Sequence, residues 1–340
     1  MSLIKFPFET PPEGIEMIEV AEGIHWIRLP LPMKLDHVNI YVLEDEGGWT
    51  VIDTGMNTGK TRALWQALIE GPLKARPINR VILTHHHPDH VGLVGWMQSE
   101  YRAELWTTRT AWLFARMLTL DVQETWPEET LAYYRSAGMD SDFYEKRKAE
   151  RPFNYSDVVA PMPLGFKSLD EGHTLTIGAR EFTVRLGQGH APDHITLWAD
   201  DVVIAGDQMI ANISSNLGVY ATEPEADPVG AWFDSCERLK VFAKPEHLVL
   251  PGHKLPYTGL ATRLTQLINN HHTALDRLNT HLAEPRTATE CFQPLFKRKI
   301  SEGEYGLALV EAVGHLNHLH QLGTVSRTRR QDGAYLWRIG

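Results

Sequence analysis

Cysteine is almost missing from this chain: Cys236 and Cys291 are the only two in 340 residues. Neither has a C-x-x-C partner, so a zinc knuckle and a disulfide framework are both excluded, and both thiols read as structural. Long apolar runs are missing too. No stretch approaches the roughly 20 residues that a spanning helix needs, which argues against a membrane protein. The first residues, MSLIKFPFETPPEG, hold no continuous apolar segment of roughly 7–15 residues and no small-residue cleavage site, so a cytoplasmic location is expected. Positive charge is short as well. Thirty-three Lys and Arg against 43 Asp and Glu leave a net charge of −10, which argues against a nucleic-acid surface spread over the whole molecule but not against a local basic patch.

What remains is an ordinary globular composition, 43% hydrophobic and 22% charged, at a length that suggests one large domain and a smaller one. Residues 15–55 read as β, with an acidic-glycine turn between two apolar runs. A helix follows over 60–70 and closes at Gly71-Pro72. RVILT, 80–84, is a short buried strand, and 91–100 is helical. Residues 108–157 show no β alternation, and Pro127 marks a helix start; they read as a helical insertion. Hairpins are expected over 173–190 and 194–208, then a helix over 227–242, a strand before His253 and a long helix over 259–282. Pro285 marks a boundary. A helix ending at Gly323 and two short strands about a Gln-Asp-Gly turn complete a winged-helix-like tail.

Histidine is plentiful, with 17 residues, and its spacing carries the information. THHHPDH places His85-x-His87-x-Asp89-His90 directly after an apolar run. On an extended strand end, residues two apart point the same way, so His85 and His87 can converge on one ion. Asp89 and His90, past the turn at Pro88, can reach a second position beside it, while His86 points elsewhere. Imidazoles and a carboxylate suit zinc, iron or manganese. Further donors follow other β-type runs: His190 after 182–186, Asp207 after 202–205 and His253 after 248–250. Loop positions after strands are where layered α/β proteins commonly place active sites.

This ordered set, HxHxDH, then GH, GD and PGH, resembles the metallo-β-lactamase superfamily over about residues 15–260, and Asp53 in VIDTG matches its buried N-terminal aspartate. The resemblance implies an αββα sandwich: two mixed sheets face to face with helices outside. Residues 1–260 would form the catalytic domain, with the helical insertion at 108–157 inside it, and 261–340 a C-terminal helical, winged-helix-like domain. It also implies one metal site of His85, His87 and His190, and a second of Asp89, His90 and His253, with Asp207 bridging. The full set is similar to that of dinuclear hydrolases such as glyoxalase II. An aspartate, not a cysteine, at 207 argues against penicillin hydrolysis.

Two divalent ions, zinc first and iron or manganese as alternatives, would turn a shared water into a hydroxide nucleophile, with Asp89 orienting it as the catalytic residue. Asp53 is expected to hold a ligand imidazole or its loop. His194 is expected to orient its loop, and His86 to pack. For His37 and Asn39, proximity to the metals and a structural hydrogen-bonding role stand level. His271, His272, His315, His318 and His320 are read as packed or exposed helix residues. The aromatic residues of the insertion, among them Trp112, Phe114, Trp126, Tyr133 and Tyr134, with Met117, form either a core or an apolar wall over the metal cleft.

The tail after PGH resembles the subgroup that includes lactamase-like endoribonucleases and thioesterases of aromatic polyketide assembly. The first reading is therefore hydrolysis of a small carbonyl substrate: a thioester, ester or lactone. The second is a metal-dependent endoribonuclease, supported by Lys297, Arg298, Lys299, Arg327, Arg329 and Arg330. A non-catalytic tail serving binding or homodimer assembly is a third reading. Iron redox chemistry ranks below hydrolysis and ribonuclease activity, because there is no flavin-binding domain.

Overall fold

The computed structural model describes residues 3–340. One sheet contains seven strands in sequence order: β1 (Ile18–Ala21), β2 (Ile24–Pro30), β3 (His37–Asp45), β4 (Gly48–Ile52), β5 (Ile78–Ile82), β6 (Glu104–Thr107) and β7 (Lys167–Ser168). The first four pair antiparallel and the last four parallel. The second sheet runs β12-β11-β10-β9-β8, built from β8 (Thr174–Ile177), β9 (Arg180–Gly187), β10 (His194–Trp198), β11 (Val202–Gly206) and β12 (Leu248–Pro251).

Strand alternation divides the first sheet's apolar side chains between two cores. Ile24, Trp26, Tyr41, Leu43, Ile52 and Ile82 face the second sheet, where they meet Phe182, Val184, Ile195, Leu197 and Ile204. Their neighbours one residue away, Ile27, Val42, Val51 and Val81, point outward onto helices α1 (Gly59–Glu70) and α3 (Val94–Tyr101), where Trp65, Leu68, Trp96 and Met97 cover them. Buried on both faces, these strands read as near-continuous apolar runs in the sequence. Between β5 and α3 lies a single helical turn, α2 (Pro88–Val91). The packing leaves no room for a side chain at Gly95, where a Cβ would lie 1.8 Å from the Pro161 carbonyl oxygen.

The chain clusters into two compact units. The first takes residues as far as Val122, then Asn154–Ser215 and Leu239–Arg263; the second takes Gln123–Phe153, Asn216–Arg238 and Leu264–Gly340. The expected insertion at 108–157 is thus three helices that do not stay together. α4 (Arg109–Leu120) belongs to the first unit, and α5 (Glu128–Ser136) and α6 (Ser141–Ala149) to the second. The remaining helices are α7 (Pro228–Lys240), α8 (Leu260–His281), α9 (Phe292–Phe296) and α10 (Tyr305–Gln321). After α10 comes an antiparallel ribbon, β13 (Val325–Arg329) with β14 (Tyr335–Ile339). Among the described residues no helix is long and apolar enough to cross a membrane.

Within the second unit α6 meets α10 through Phe143 stacked on Tyr305 at 4.2 Å, and the Tyr305 hydroxyl bonds to Asp140. Two of the helix histidines read as packed or exposed, His271 and His315, pack against each other. His315 Nδ1 donates to the Glu311 carbonyl, so its Nε2 is the acceptor, 3.0 Å from His271 Nδ1. Burial, with each ring's charged neighbours a smaller effect, pushes His271 to about 3 and His315 to about 4. Both values lie below the ordinary histidine value, so the folded chain binds fewer protons than the unfolded one. The stability the pair contributes is complete above about pH 6.5 and is lost as pH falls toward the folded values, by about 1.4 kcal/mol per pH unit for each ring. The thermal midpoint is therefore expected to drop between pH 7.5 and pH 5. His271→Asn, which keeps a donor near the Nδ1 position but cannot ionise, should show a smaller drop; an equal drop in both proteins would contradict this account.

Candidate metal centre

The histidine-rich segment follows the end of β5. The strand closes at Ile82, the Leu83 amide still donates to the Trp106 carbonyl of β6 (3.0 Å), and the Thr84 amide turns to the Asp53 carboxylate (2.8 Å). The segment nevertheless stays extended and delivers its rings to one place. His85 Nε2 and His190 Nε2 each lie 3.0 Å from His87 Nδ1. Pro88 starts the α2 turn, which carries Asp89 and His90. His253 Nε2 then lies 3.3 Å from Asp89 Oδ2 and 3.2 Å from Asp207 Oδ2, and His90 Nε2 lies 3.4 Å from Asp207 Oδ1. Asp207 Oδ2 also approaches His190 Nε2, at 3.6 Å.

Three sets of donors therefore converge closely enough to hold an ion: His85, His87 and His190; Asp89, His90 and His253; and His85, His90 and Asp207. All seven residues singled out in the sequence are among them, with Asp207 between the two triads. His86 belongs to none. Its ring packs at 5.0 Å on Phe114 instead.

The donor nitrogens of His85, His90 and His253 are each aimed by a bond at the opposite side of the ring, as is common for metal-ligating histidines. His90 Nδ1 donates to Asp53 Oδ2 (2.8 Å), turning Nε2 toward the carboxylates. The Thr84 hydroxyl donates to the same Asp53 oxygen (2.7 Å), which makes it the acceptor for His85 Nδ1–H (2.9 Å) and leaves His85 Nε2 free of its proton. Asp53 thus orients two rings, one of them through Thr84, and does so from a left-handed backbone position, φ 62°. His253 Nδ1 donates to the His37 carbonyl at 2.7 Å. His194 Nε2 accepts the Asp207 amide (3.1 Å), so this histidine positions a candidate ligand, in keeping with the structural role expected of it.

His37 and Asn39 turn out to hold the loop that carries His253. The His37 ring accepts the Lys254 amide at 3.0 Å, and Asn39 Nδ2 donates to the Pro251 and Lys254 carbonyls. Thr84, the His37 carbonyl and Gly252 were not found by the sequence reading. A Cβ on Gly252 would fall 2.3 Å from Asp207 Oδ1, so only glycine leaves space for that carboxylate. Thr84 could have been suspected only from its place beside the motif.

The electrostatics also suit a cation. Burial disfavours charge on every group here, yet the Asp207, Asp89 and Asp53 carboxylates hold His90 well above the ordinary histidine range. Against the same burial, Asp207 and Asp89 raise His253 to about 10. His85 and His87, buried among other imidazoles, are pushed well below that range. The carboxylates thus draw protons onto His90 and His253, beside two rings, His85 and His87, that stay neutral enough to ligate. His90 Nε2 and Asp207 Oδ1 are buried without a hydrogen-bond partner, a costly state that a shared cation between them would relieve. Imidazoles and carboxylates with no thiolate fit a borderline divalent ion.

Comparison with known proteins agrees with this geometry. A family model described as the metallo-beta-lactamase superfamily matches residues 33–253, and one described as the metallo-beta-lactamase-like C-terminal domain matches 275–339. The chain is similar to the probable metallo-hydrolase YqjP of Bacillus subtilis (strain 168), at 28% identity over 88% of this chain and 92% of that protein. The crystal structure of a beta-lactamase domain protein from Burkholderia ambifaria superposes with a TM-score of 0.91 at 32% identity, covering 99% of this chain and 98% of that one. A metallo-beta-lactamase family protein from Thermus thermophilus, at 24% identity, shares the fold with a TM-score of 0.77 over 94% of this chain and 100% of that one. With well over half of its length matched by the family model and every donor of the ordered motif brought together, the chain belongs to the metallo-beta-lactamase superfamily.

Proposed function

We propose that this protein is a dinuclear metal-dependent hydrolase of a small carbonyl substrate, a thioester first and an ester or lactone otherwise, with zinc as the preferred metal. The observation that carries the reading is the pair of triads joined by Asp207, with carboxylates and imidazoles as the only donors. Divalent ions held there would supply a water of lowered pKa and would stabilise negative charge on a substrate oxygen. The chain's own residues do the rest. His85, His87 and His190 hold one position, Asp89, His90 and His253 the other, and Asp207 spans both. Asp89 is the most open of the carboxylates, with its side chain 17% exposed, and it turns Oδ2 to His253. Its Oδ1 is left to accept a hydrogen bond from the attacking water and hold it in line with the carbonyl. The name of the Bacillus subtilis relative, a probable metallo-hydrolase, points to the same reaction class.

The ribonuclease reading is weaker for a specific reason. Arg298, Arg327 and Arg330 of the basic tail are paired locally with Glu304, Glu225 and Asp332, so half of the six tail cations are neutralised where they stand. The test is free-thiol release from acyl-CoA and acyl-glutathione thioesters by the zinc-loaded protein, alongside an ester, a lactone and single-stranded RNA. Thiol release is the expected result. RNA cleavage with no turnover of any carbonyl substrate would overturn the reading.

A further inference from the structure

α4 lies along the rim of the metal-ligating cluster and is anchored there from three directions. At its start, Thr108 caps the helix by accepting the Ala111 amide, and its hydroxyl donates to the Asp193 carbonyl (3.1 Å). The Thr110 hydroxyl bonds to the Asp193 side chain, three residues beyond His190 in sequence. On one flank Phe114 packs on His86, the residue between the two ligands His85 and His87. On the other, Trp112 stacks on Phe166 at 4.9 Å and donates to the Pro163 carbonyl, and Arg116 donates to that of Met162. The base of the helix, Ala111, Ala115 and Thr119, is buried.

What remains is the outward face, and it is apolar. Leu113, Met117 and Leu120, at i, i+4 and i+7, share one stripe of the helix, and they are 51%, 46% and 68% exposed. A row of three large apolar side chains left open on a well-anchored helix marks a surface that binds something. Phe114, about 60° round the helix from Met117, packs on His86, whose ring lies 4.8 Å from that of His87, and this continuity with the metal-ligating cluster indicates the occupant.

We infer that the outward row of α4 is the acyl-binding wall of the active site, receiving a medium-length apolar chain whose carbonyl lies at the metal centre. This rests on the hydrolase reading and adds the substrate's apolar arm to it. From Leu113 to Leu120 the wall spans roughly 10 Å at the helical rise, which matches an extended chain of about eight carbons at ordinary bond lengths. A short or charged acyl group would leave the row in water.

The experiment uses the full zinc-loaded chain with a series of straight acyl thioesters from acetyl to dodecanoyl, and separately measures calorimetric binding of 1-octanol, which has no charge to engage the metals. Selectivity kcat/KM is expected to rise about two-fold per methylene, half of full burial, over a stretch of about eight carbons and then to level off. The octanoyl-to-acetyl ratio should fall about ten-fold in Met117→Glu and recover in Met117→Leu, and octanol binding should weaken in parallel. Thioester turnover with a flat chain-length profile, or octanol binding equal in wild type and Met117→Glu, would overturn the wall while leaving the hydrolase reading standing. No turnover of any carbonyl substrate, with octanol still bound and lost in Met117→Glu, would overturn the hydrolase reading instead. A wild-type dimer in sedimentation that Met117→Glu dissociates would assign the row to a second copy of the chain and overturn the wall.

Discussion

Asp89→Asn is expected to lower kcat by about 10²–10⁴-fold, the range for loss of a positioned acid–base group, while the protein folds normally. Asparagine keeps the size of the side chain but replaces one carboxylate oxygen with an NH₂ and removes the charge that faces His253 and His90. The scaffold does not depend on this side chain. Asp53, Thr84 and the His37 carbonyl hold the rings from their far sides, and none of these bonds includes Asp89. An unchanged circular dichroism spectrum and an unchanged metal content, measured with the thiol-release assay, would separate lost chemistry from a lost fold or a lost ion. Wild-type turnover in the variant would remove Asp89 from the mechanism.

Stripping the metal is expected to have the largest effect on stability. An ion that binds only the folded chain stabilises it by about 4 kcal/mol at a thousand times its Kd, and two sites contribute separately. Without ions, the cluster keeps buried donors within 3.0–3.6 Å of one another, and His90 Nε2 and Asp207 Oδ1 have no partner. Chelation should therefore lower the thermal midpoint by at least about 5 °C, and zinc should restore it at close to two ions per chain by elemental analysis. A midpoint indifferent to chelator, with less than one ion bound, would contradict the dinuclear assignment.

Much of this site was legible in the sequence because metal ligation depends on residue type and on proximity to strand ends. Four ordered elements, each after a β-type run, are enough to name His85, His87, Asp89, His90, His190, Asp207 and His253. The bonds that aim these residues were not legible. Thr84 serves His85 only because its hydroxyl is already committed to Asp53, and His253 is turned by a backbone carbonyl, that of His37, which has no residue-type signature. Asn39 looked as much like a metal neighbour as a scaffold residue until its amide was seen to bridge the two carbonyls of the 251–254 loop.

Residues 108–157 show the same limit. Helical periodicity reveals that a segment has an apolar stripe, not which core the stripe joins. α4 belongs with the sheets and α5 and α6 with the C-terminal helices, although all three follow one another in sequence. The sequence by itself determined the ligand types, their order and the layered α/β class, since each follows from local chemistry and strand alternation. Only the tertiary structure decided which nitrogen of each ring faces the metal position and where the chain divides. Those depend on contacts between residues far apart in the chain, such as His253 with His37 and Asp207 with His194.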